Sequence, residues 1–467
     1  MVTRNCPRLV IAGSSSGVGK TSLALGLARA LARQGLRVQT YKAGPDFLDP
    51  TYLRLASGRT CYNLDGWMTS RSYVRDLLAR VSADADVTIV EGVMGLFDGA
   101  SPATLQGSTA ELAAWLDAPV VLVANAHGAA RSLAALVHGF ASFEPSVRVA
   151  GIVANQGGSA RHRSWLSEAL SSRDLPPLIG MIPRGALPTL PSRHLGLVTA
   201  DQSGLDGRLL DELADACQEH LDIGRLLERA RSAGGIQMRS AKSTAPSCRI
   251  RLGIARDEAF HFYYPDNLEV LESRGVVSIP FSPLSDDRLP ENVDALYFGG
   301  GYPELHAARL AGNRPLLAAV RQFADRDGCI YAECGGLMYL GRSLTTSDGC
   351  RYPLAGVIPI DTAMRRSARM LSYVEAALAT DSLWGPAGQA YRGHEFHYSE
   401  IVEDGARAEG WRPAYRVRRR GSEPAEAGYA KGRILAGYAH LHWASHAGAA
   451  DGLAARFGAP KPTLPSG

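Results

Sequence analysis

Five short, largely apolar runs constrain the fold of this chain more than any other feature. They are RLVIAG (8–13), LRVQTYKAG (36–44), DVTIVEGV (86–93), APVVLVANA (118–126) and VRVAGIVANQ (147–156). Strands with so little polar face are buried on both sides, as in a parallel sheet covered by helices. Between them, apolar residues recur every three or four positions. Thr21 to Gln34 reads as a helix, and Gly35 closes it. This alternation predicts a doubly wound α/β sheet. A helical, amphipathic pattern runs from Asp206 to Arg231. The next stretch, SAGGIQMRSAKSTAPSC, has the composition of a linker. Strand and helix signals then restart with CRIRLGIA, GVVSIPFS, DALYFGGG and GCIYAECGG, which predicts a second α/β domain. The expected division is a first domain at 1–231, a linker at 232–248, a second domain at 249–457 and a frayed tail at 458–467.

A chain of 467 residues, 46% hydrophobic and 21% charged, is long enough for two full cores. A formal net charge of +4 spread along it is too small to argue for a nucleic-acid partner. No apolar run reaches the length of a membrane span, and MVTRNCPRLVIAG lacks the features of a signal peptide. The seven cysteines form no disulfide framework, so a reducing, cytoplasmic setting is expected. Cys329 and Cys334 are too far apart for the usual zinc pair, and no second pair follows.

IAGSSSGVGKTS follows a strand and opens a helix, the context of a phosphate-binding loop. Small residues there, Gly17 and Gly19 among them, let backbone N–H groups close around phosphate oxygens at a helix N-terminus. Lys20 can reach the β- and γ-phosphates of ATP, Thr21 can ligate Mg²⁺, and Ser22 continues the motif. Gly13 lies six positions before Gly19 rather than five, a longer loop that resembles the dethiobiotin synthetase-like branch of P-loop enzymes. Acids to serve the metal come from KAGPDFLDP, with Asp46 and Asp49, and from VEGVMGLFDG, with Glu91 and Asp98. Both segments sit at carboxyl ends of expected parallel strands, where open α/β sheets bind ligands. How the four acids divide metal binding and substrate placement is open. The working assignment gives Thr21, Asp46 and Glu91 to the metal, and Asp49 and Asp98 to substrate or intermediate.

GCIYAECGGLMYLG reads strand, tight turn, helix, with Cys334 at the turn. A nucleophile at such an elbow faces a helix N-terminus that favours its thiolate. YFGGGYPEL can supply oxyanion-hole N–H groups from Gly300 or Gly301, and Gly335 the second donor. The base is expected in ILAGYAHLHWASH. As a strand, this segment would put His440 and His442 on one face, one activating Cys334 and the other orienting it.

Oxyanion loop, cysteine and histidine, in that order, resemble class I glutamine amidotransferase domains. With GSSSGVGKT, YKAGPDFLDP, VEGVMGLFDG, IPR (182–184), LPSRHLGLV (190–198), DEAFHFYYPDNLEVLE, AECGG and GHEFHYS, nearly the whole chain resembles the cobyrinic and hydrogenobyrinic acid a,c-diamide synthases. The resemblance implies an N-terminal P-loop ATP-dependent synthase domain, a C-terminal class I glutamine amidotransferase domain, and His440 as the catalytic histidine with His442 as helper. It also implies two amidations of a tetrapyrrole polycarboxylate in cobalamin biosynthesis. ATP would activate each carboxylate as an acyl phosphate, and ammonia released from glutamine by Cys334 would displace the phosphate. Arg193 and His194 are expected to meet substrate carboxylates. Asn125 and Gln156 stand where the family more often shows Asp and Arg. The expected partners are small molecules, with no nucleic acid and no membrane; a homodimer is one option for the assembly. Three alternatives compete with this reading: the same chemistry on nickel-sirohydrochlorin, a P-loop regulatory ATPase with a degenerate glutaminase-like domain, and a dethiobiotin synthetase-like carboxylase carrying a glutaminase fold.

Overall fold

A computed structural model describes residues 2–190, 192–193, 196–197, 207–238, 249–365, 370–382 and 384–458. The chain divides into two compact units, Met1–Ala241 and Lys242–Gly467. Among the described residues, no helix is long and apolar enough to cross a membrane.

The first unit is built on one seven-stranded sheet. Its order is Tyr62–Leu64, Val38–Ala43, Val87–Glu91, Arg8–Gly13, Val120–Asn125, Val149–Gly157, Leu178–Pro183. Every neighbouring pair is parallel. The five central strands are those expected from the apolar runs. Helices cover both faces because neither side of these strands tolerates water. The helix Lys20–Arg33 buries Leu23, Leu27 and Leu31, at about 1.5–3 kcal/mol per side chain. The chain enters the sheet at Arg8–Gly13 and moves outward on one side before crossing to the other. This places the topological switch point beside Arg8–Gly13, with the ends of Val38–Ala43 and Val87–Glu91 next to it.

The amphipathic stretch before the linker forms two helices, Gly207–His220 and Ile223–Arg231, the second capped by Asp222. Ile236–Met238, inside the stretch that reads as linker, pairs antiparallel with Val2–Arg4. The fully buried Arg8 ties this region together by donating to the carbonyls of Cys6, Leu116 and Gly234. His194, linker residues 239–248 and tail residues 459–467 lie outside the described residues.

The second unit carries a six-stranded sheet in the order Val276–Phe281, Ile250–Ala255, Ala295–Phe298, Cys329–Glu333, Ile434–Gly437, Tyr429–Lys431. Only the last pairing is antiparallel. A five-stranded antiparallel sheet includes Met370–Leu378, Ala390–His397 and His440–Leu441. The chain leaves the first sheet at Gly437 and joins the second at His440. That crossing carries a histidine past the end of Cys329–Glu333, whose Glu333 is in register with Gly437.

Candidate active sites

In the first unit the loop after Arg8–Gly13 is held from several sides. Ser14 N donates to Val123 O (2.9 Å), and Leu96 N donates to Gly13 O (2.8 Å). Gly19 has φ 97°, and a Cβ there would lie 2.5 Å from Nδ2 of Asn155. That Nδ2 donates to Val18 O at 2.8 Å, so any larger residue would collide with the loop's brace. Gly17 also has positive φ, and Lys20, Thr21 and Ser22 open the helix. Lys20 Nζ bends back to donate to Ser15 O at 3.1 Å. Burial, and then the neighbouring Lys42, lower its pKa.

Two of the acids expected here, Asp49 and Glu91, pair with a lysine that sequence reasoning did not nominate. Lys42 lies 2.5 Å from Asp49 Oδ2 and 2.8 Å from Glu91 Oε1. Its side chain is 4% exposed, against 10% for Asp49 and 0% for Glu91, so bulk water screens the cluster little. Burial opposes the charge on Lys42, but Asp49 and Glu91 outweigh it and raise the pKa. Asp46 accepts from the backbone N–H of Leu48 at 2.7 Å. Burial, and then Asp49, push its carboxyl up to about 7. Thr21 Oγ1 donates to Glu91 Oε1 at 2.6 Å. The other oxygen, Glu91 Oε2, is buried with no hydrogen-bond partner. Asp98 accepts from Gly95 N at 2.9 Å, in the loop that follows Glu91.

A carboxylate oxygen buried without a partner beside a threonine hydroxyl fits Mg²⁺. No group of three or more His, Cys, Asp or Glu side chains among the described residues could hold a metal by itself. The donor set therefore suits an ion whose shell is completed by nucleotide phosphates and water. The signal for Lys42 was present in the sequence: a lysine inside a buried strand needs acidic partners. Arg193 lies in the short strand Ser192–Arg193, paired with Gly196–Leu197.

In the second unit, Cys334 links the strand Cys329–Glu333 to the helix Gly335–Leu340, with φ 48° and ψ −102°. A non-glycine residue in that region stores strain and takes the thiol out of the strand's alternation. Its N–H donates to Gly437 O at 2.8 Å, and its sulfur lies 3.9 Å from the carbonyl oxygen of Phe396. The glycine loop lies alongside. A Cβ on Gly335 would be 3.2 Å from Gly301 N, and one on Gly300 would strike His440 Cε1. Gly300, Gly301, Gly335, Cys334 and His440 thus meet at one place. Burial works against charge on His440, but Cys334 and then Glu333 overcome it and raise its pKa to about 10. An imidazolium held beside a thiol is the arrangement a cysteine nucleophile needs.

His442 goes elsewhere. The strand His440–Leu441 is only two residues long, and His442 caps the 3-10 turn Trp443–Ser445. Its Nε2 lies 3.2 Å from Asp266 Oδ2, both groups buried. The two histidines meet different carboxylates, His440 facing Glu333 and His442 facing Asp266. Glu333, whose oxygen lies 3.6 Å from His440 Nδ1, is the neighbour that sequence reasoning missed. A glutamate at the end of a buried strand was its signal, as it was for Glu91.

Residues 9–198 match the CobQ/CobB/MinD/ParA nucleotide binding domain, and residues 251–448 match the CobB/CobQ-like glutamine amidotransferase domain. The chain is 55% identical over 448 residues to the cobyrinate a,c-diamide synthase of Syntrophotalea carbinolica, covering 96% of this chain and 97% of that one. It is 40% identical to that of Leptospira interrogans serovar copenhageni, with the same coverage. It is 39% identical over 443 residues to that of Methanothermobacter thermautotrophicus, covering 94% and 96%. With a nucleotide-binding half, a glutamine amidotransferase half and such identity along nearly its whole length, the chain belongs to the cobyrinate a,c-diamide synthase family.

Proposed function

We propose that this chain is a glutamine-hydrolysing carbon–nitrogen ligase of the cytoplasm that converts the a and c carboxylates of cobyrinic or hydrogenobyrinic acid to amides. The observation that carries this reading is the 55% identity to a cobyrinate a,c-diamide synthase over 96% of the chain. Each amidation begins when a substrate carboxylate oxygen attacks the γ-phosphorus of ATP. ADP leaves and an acyl phosphate forms. Gly17, Gly19 and Ser22 shape the phosphate loop, and Lys20 exchanges its loop carbonyl for phosphate oxygens. Thr21 and Glu91, with Asp46 in the same charged cluster, would hold Mg²⁺, which when bound neutralises phosphate charge. Lys42 keeps Asp49 and Glu91 in place through ion pairs at 2.5 and 2.8 Å. Asp49, Asp98, Arg193 and His194 are assigned to substrate or intermediate.

The second centre supplies the nitrogen. Cys334 attacks the side-chain amide carbon of glutamine, and backbone N–H groups of the Gly300–Gly301 loop and Gly335 receive the developing oxyanion. His440 gives its proton to the departing ammonia, and water then hydrolyses the thioester to glutamate. Ammonia attacks the acyl phosphate, the carbon–nitrogen bond forms and inorganic phosphate leaves.

Mass spectrometry tests the assignment. Purified protein is incubated with Mg-ATP, glutamine and, separately, cobyrinic acid, hydrogenobyrinic acid or nickel-sirohydrochlorin. Two OH-to-NH₂ exchanges on cobyrinic or hydrogenobyrinic acid, requiring both ATP and glutamine, are expected. Exchange on nickel-sirohydrochlorin alone would reassign the substrate. No exchange on any of them, with ammonia also failing, would overturn the reading.

A further inference from the structure

One buried carboxylate beside the nucleophile has no part in the chemistry above. Glu333 ends its strand immediately before Cys334 and is 3% exposed. Its Oε1 accepts from Tyr331 OH at 2.6 Å and from Leu441 N at 3.2 Å. Its Oε2 accepts from Tyr297 OH at 3.0 Å and lies 3.6 Å from His440 Nδ1. Burial, and then Glu333 itself, hold both tyrosines well above the ordinary phenol range, so both stay donors. The carboxylate thus accepts from the backbone of the histidine strand at Leu441 and lies within ion-pair distance of the ring of His440. In a regular strand Glu333 and Cys334 would point to opposite faces. The positive φ at Cys334 breaks that alternation, so successive residues bear on one imidazole.

We propose that Glu333 is the positioning residue of the glutamine-hydrolysing centre, facing His440 Nδ1 so that this nitrogen keeps its proton and Nε2 exchanges protons with Cys334. This rests on Cys334 being the nucleophile. A carboxylate facing one ring nitrogen of a histidine sets both tautomer and ring orientation. The other charged or titratable groups near His440 are already engaged. Glu395 pairs with Arg419 at 2.7 Å, and His442 pairs with Asp266. His394 stacks on His440 with centroids 5.0 Å apart and is held neutral, by burial first and then by the neighbouring His440 and His442.

The test is Glu333→Gln in the full chain. Glutamine hydrolysis, ammonia-driven amidation of the tetrapyrrole and alkylation of Cys334 by iodoacetamide are each followed against pH. The kcat of hydrolysis is expected to fall about 10²-fold, with KM for glutamine within about threefold. Ammonia-driven amidation should be unchanged. The alkylation midpoint should move to higher pH, because a less stable imidazolium leaves the proton on sulfur longer. Glu333→Asp should recover part of the loss. Hydrolysis within about threefold of wild type, or an unmoved alkylation profile, would overturn the proposal. Cys334→Ser runs in parallel: glutamine hydrolysis surviving there would sink the nucleophile assignment itself rather than the part given to Glu333. Should Glu333→Gln lose ammonia-driven activity as well, ¹⁵N spectra of the wild-type chain decide. A protonated His440 Nδ1 from about pH 6 to 9 supports the proposal, and an unprotonated one overturns it.

Discussion

The two centres of this chain hold their charge in opposite ways. In the first unit, Lys42, Asp49 and Glu91 form a buried cluster with capacity to spare, and the half-buried Asp46 lies beside it. One Glu91 oxygen has no partner, and Lys20 donates to its own loop. In the second unit the carboxylate of Glu333 accepts from three donors, and His440 already sits between Glu333 and Cys334. The ligands explain the contrast. Nucleotide and metal bring large charges, so their site is incomplete without them. The amide of glutamine is neutral, so its site must carry a charge pair of its own.

The sharpest test of this separation is Cys334→Ser. Glutamine-driven amidation should fall by about 10⁴-fold while ammonia-driven amidation persists. Equal loss of both would mean that the centres are not chemically independent. Next in size is Lys42→Met, which leaves Asp49 and Glu91 as buried carboxylates without their cation. Thermal unfolding should show a loss of about 3–5 kcal/mol, with ammonia-driven amidation abolished. A loss under about 1 kcal/mol would show that water reaches the cluster, and the contrast would weaken.

The charge pair of the second centre predicts a pH dependence. The His440 pKa is raised, so the stabilisation its charged form brings is complete below the ordinary histidine value of 6.5 and disappears as pH rises through about 10. Glutamine hydrolysis should therefore be level from about pH 7 to 9 and decline through about 10. A decline centred near the ordinary value would contradict the pairing. The smallest effect on catalysis is expected for His442→Ala. Hydrolysis should stay within about threefold of wild type, while stability drops by about 1–3 kcal/mol because buried Asp266 loses its ion pair with His442. A loss in hydrolysis as large as that of Cys334→Ser would return His442 to the reacting groups.

Legibility differed between the centres as well. The phosphate loop could be read because its chemistry is local: strand, small residues, Lys-Thr and helix are contiguous. The elbow at Cys334 was legible for the same reason. The acids after two separate strands are visible too, whereas Lys42, which pairs with Asp49 and Glu91, is signalled only by a basic residue in the buried run LRVQTYKAG. At His440 and His442 the histidines themselves were legible, but the carboxylates they meet, Glu333 and Asp266, lie far away along the chain.

The amino-acid sequence by itself determined the doubly wound first unit, the α/β second unit and the family. Apolar periodicity and contiguous motifs act between near neighbours along the chain, and the order of the motifs survives any uncertainty in packing. Tertiary structure alone decided which charges meet. Lys42 and Glu91 are 49 residues apart, and Glu333 and the Leu441 amide are 108 apart. Burial makes such partnerships obligatory, since a lone charge in either core would be far too costly. Which partner satisfies each charge depends on sheet order and strand crossing, which no local pattern records.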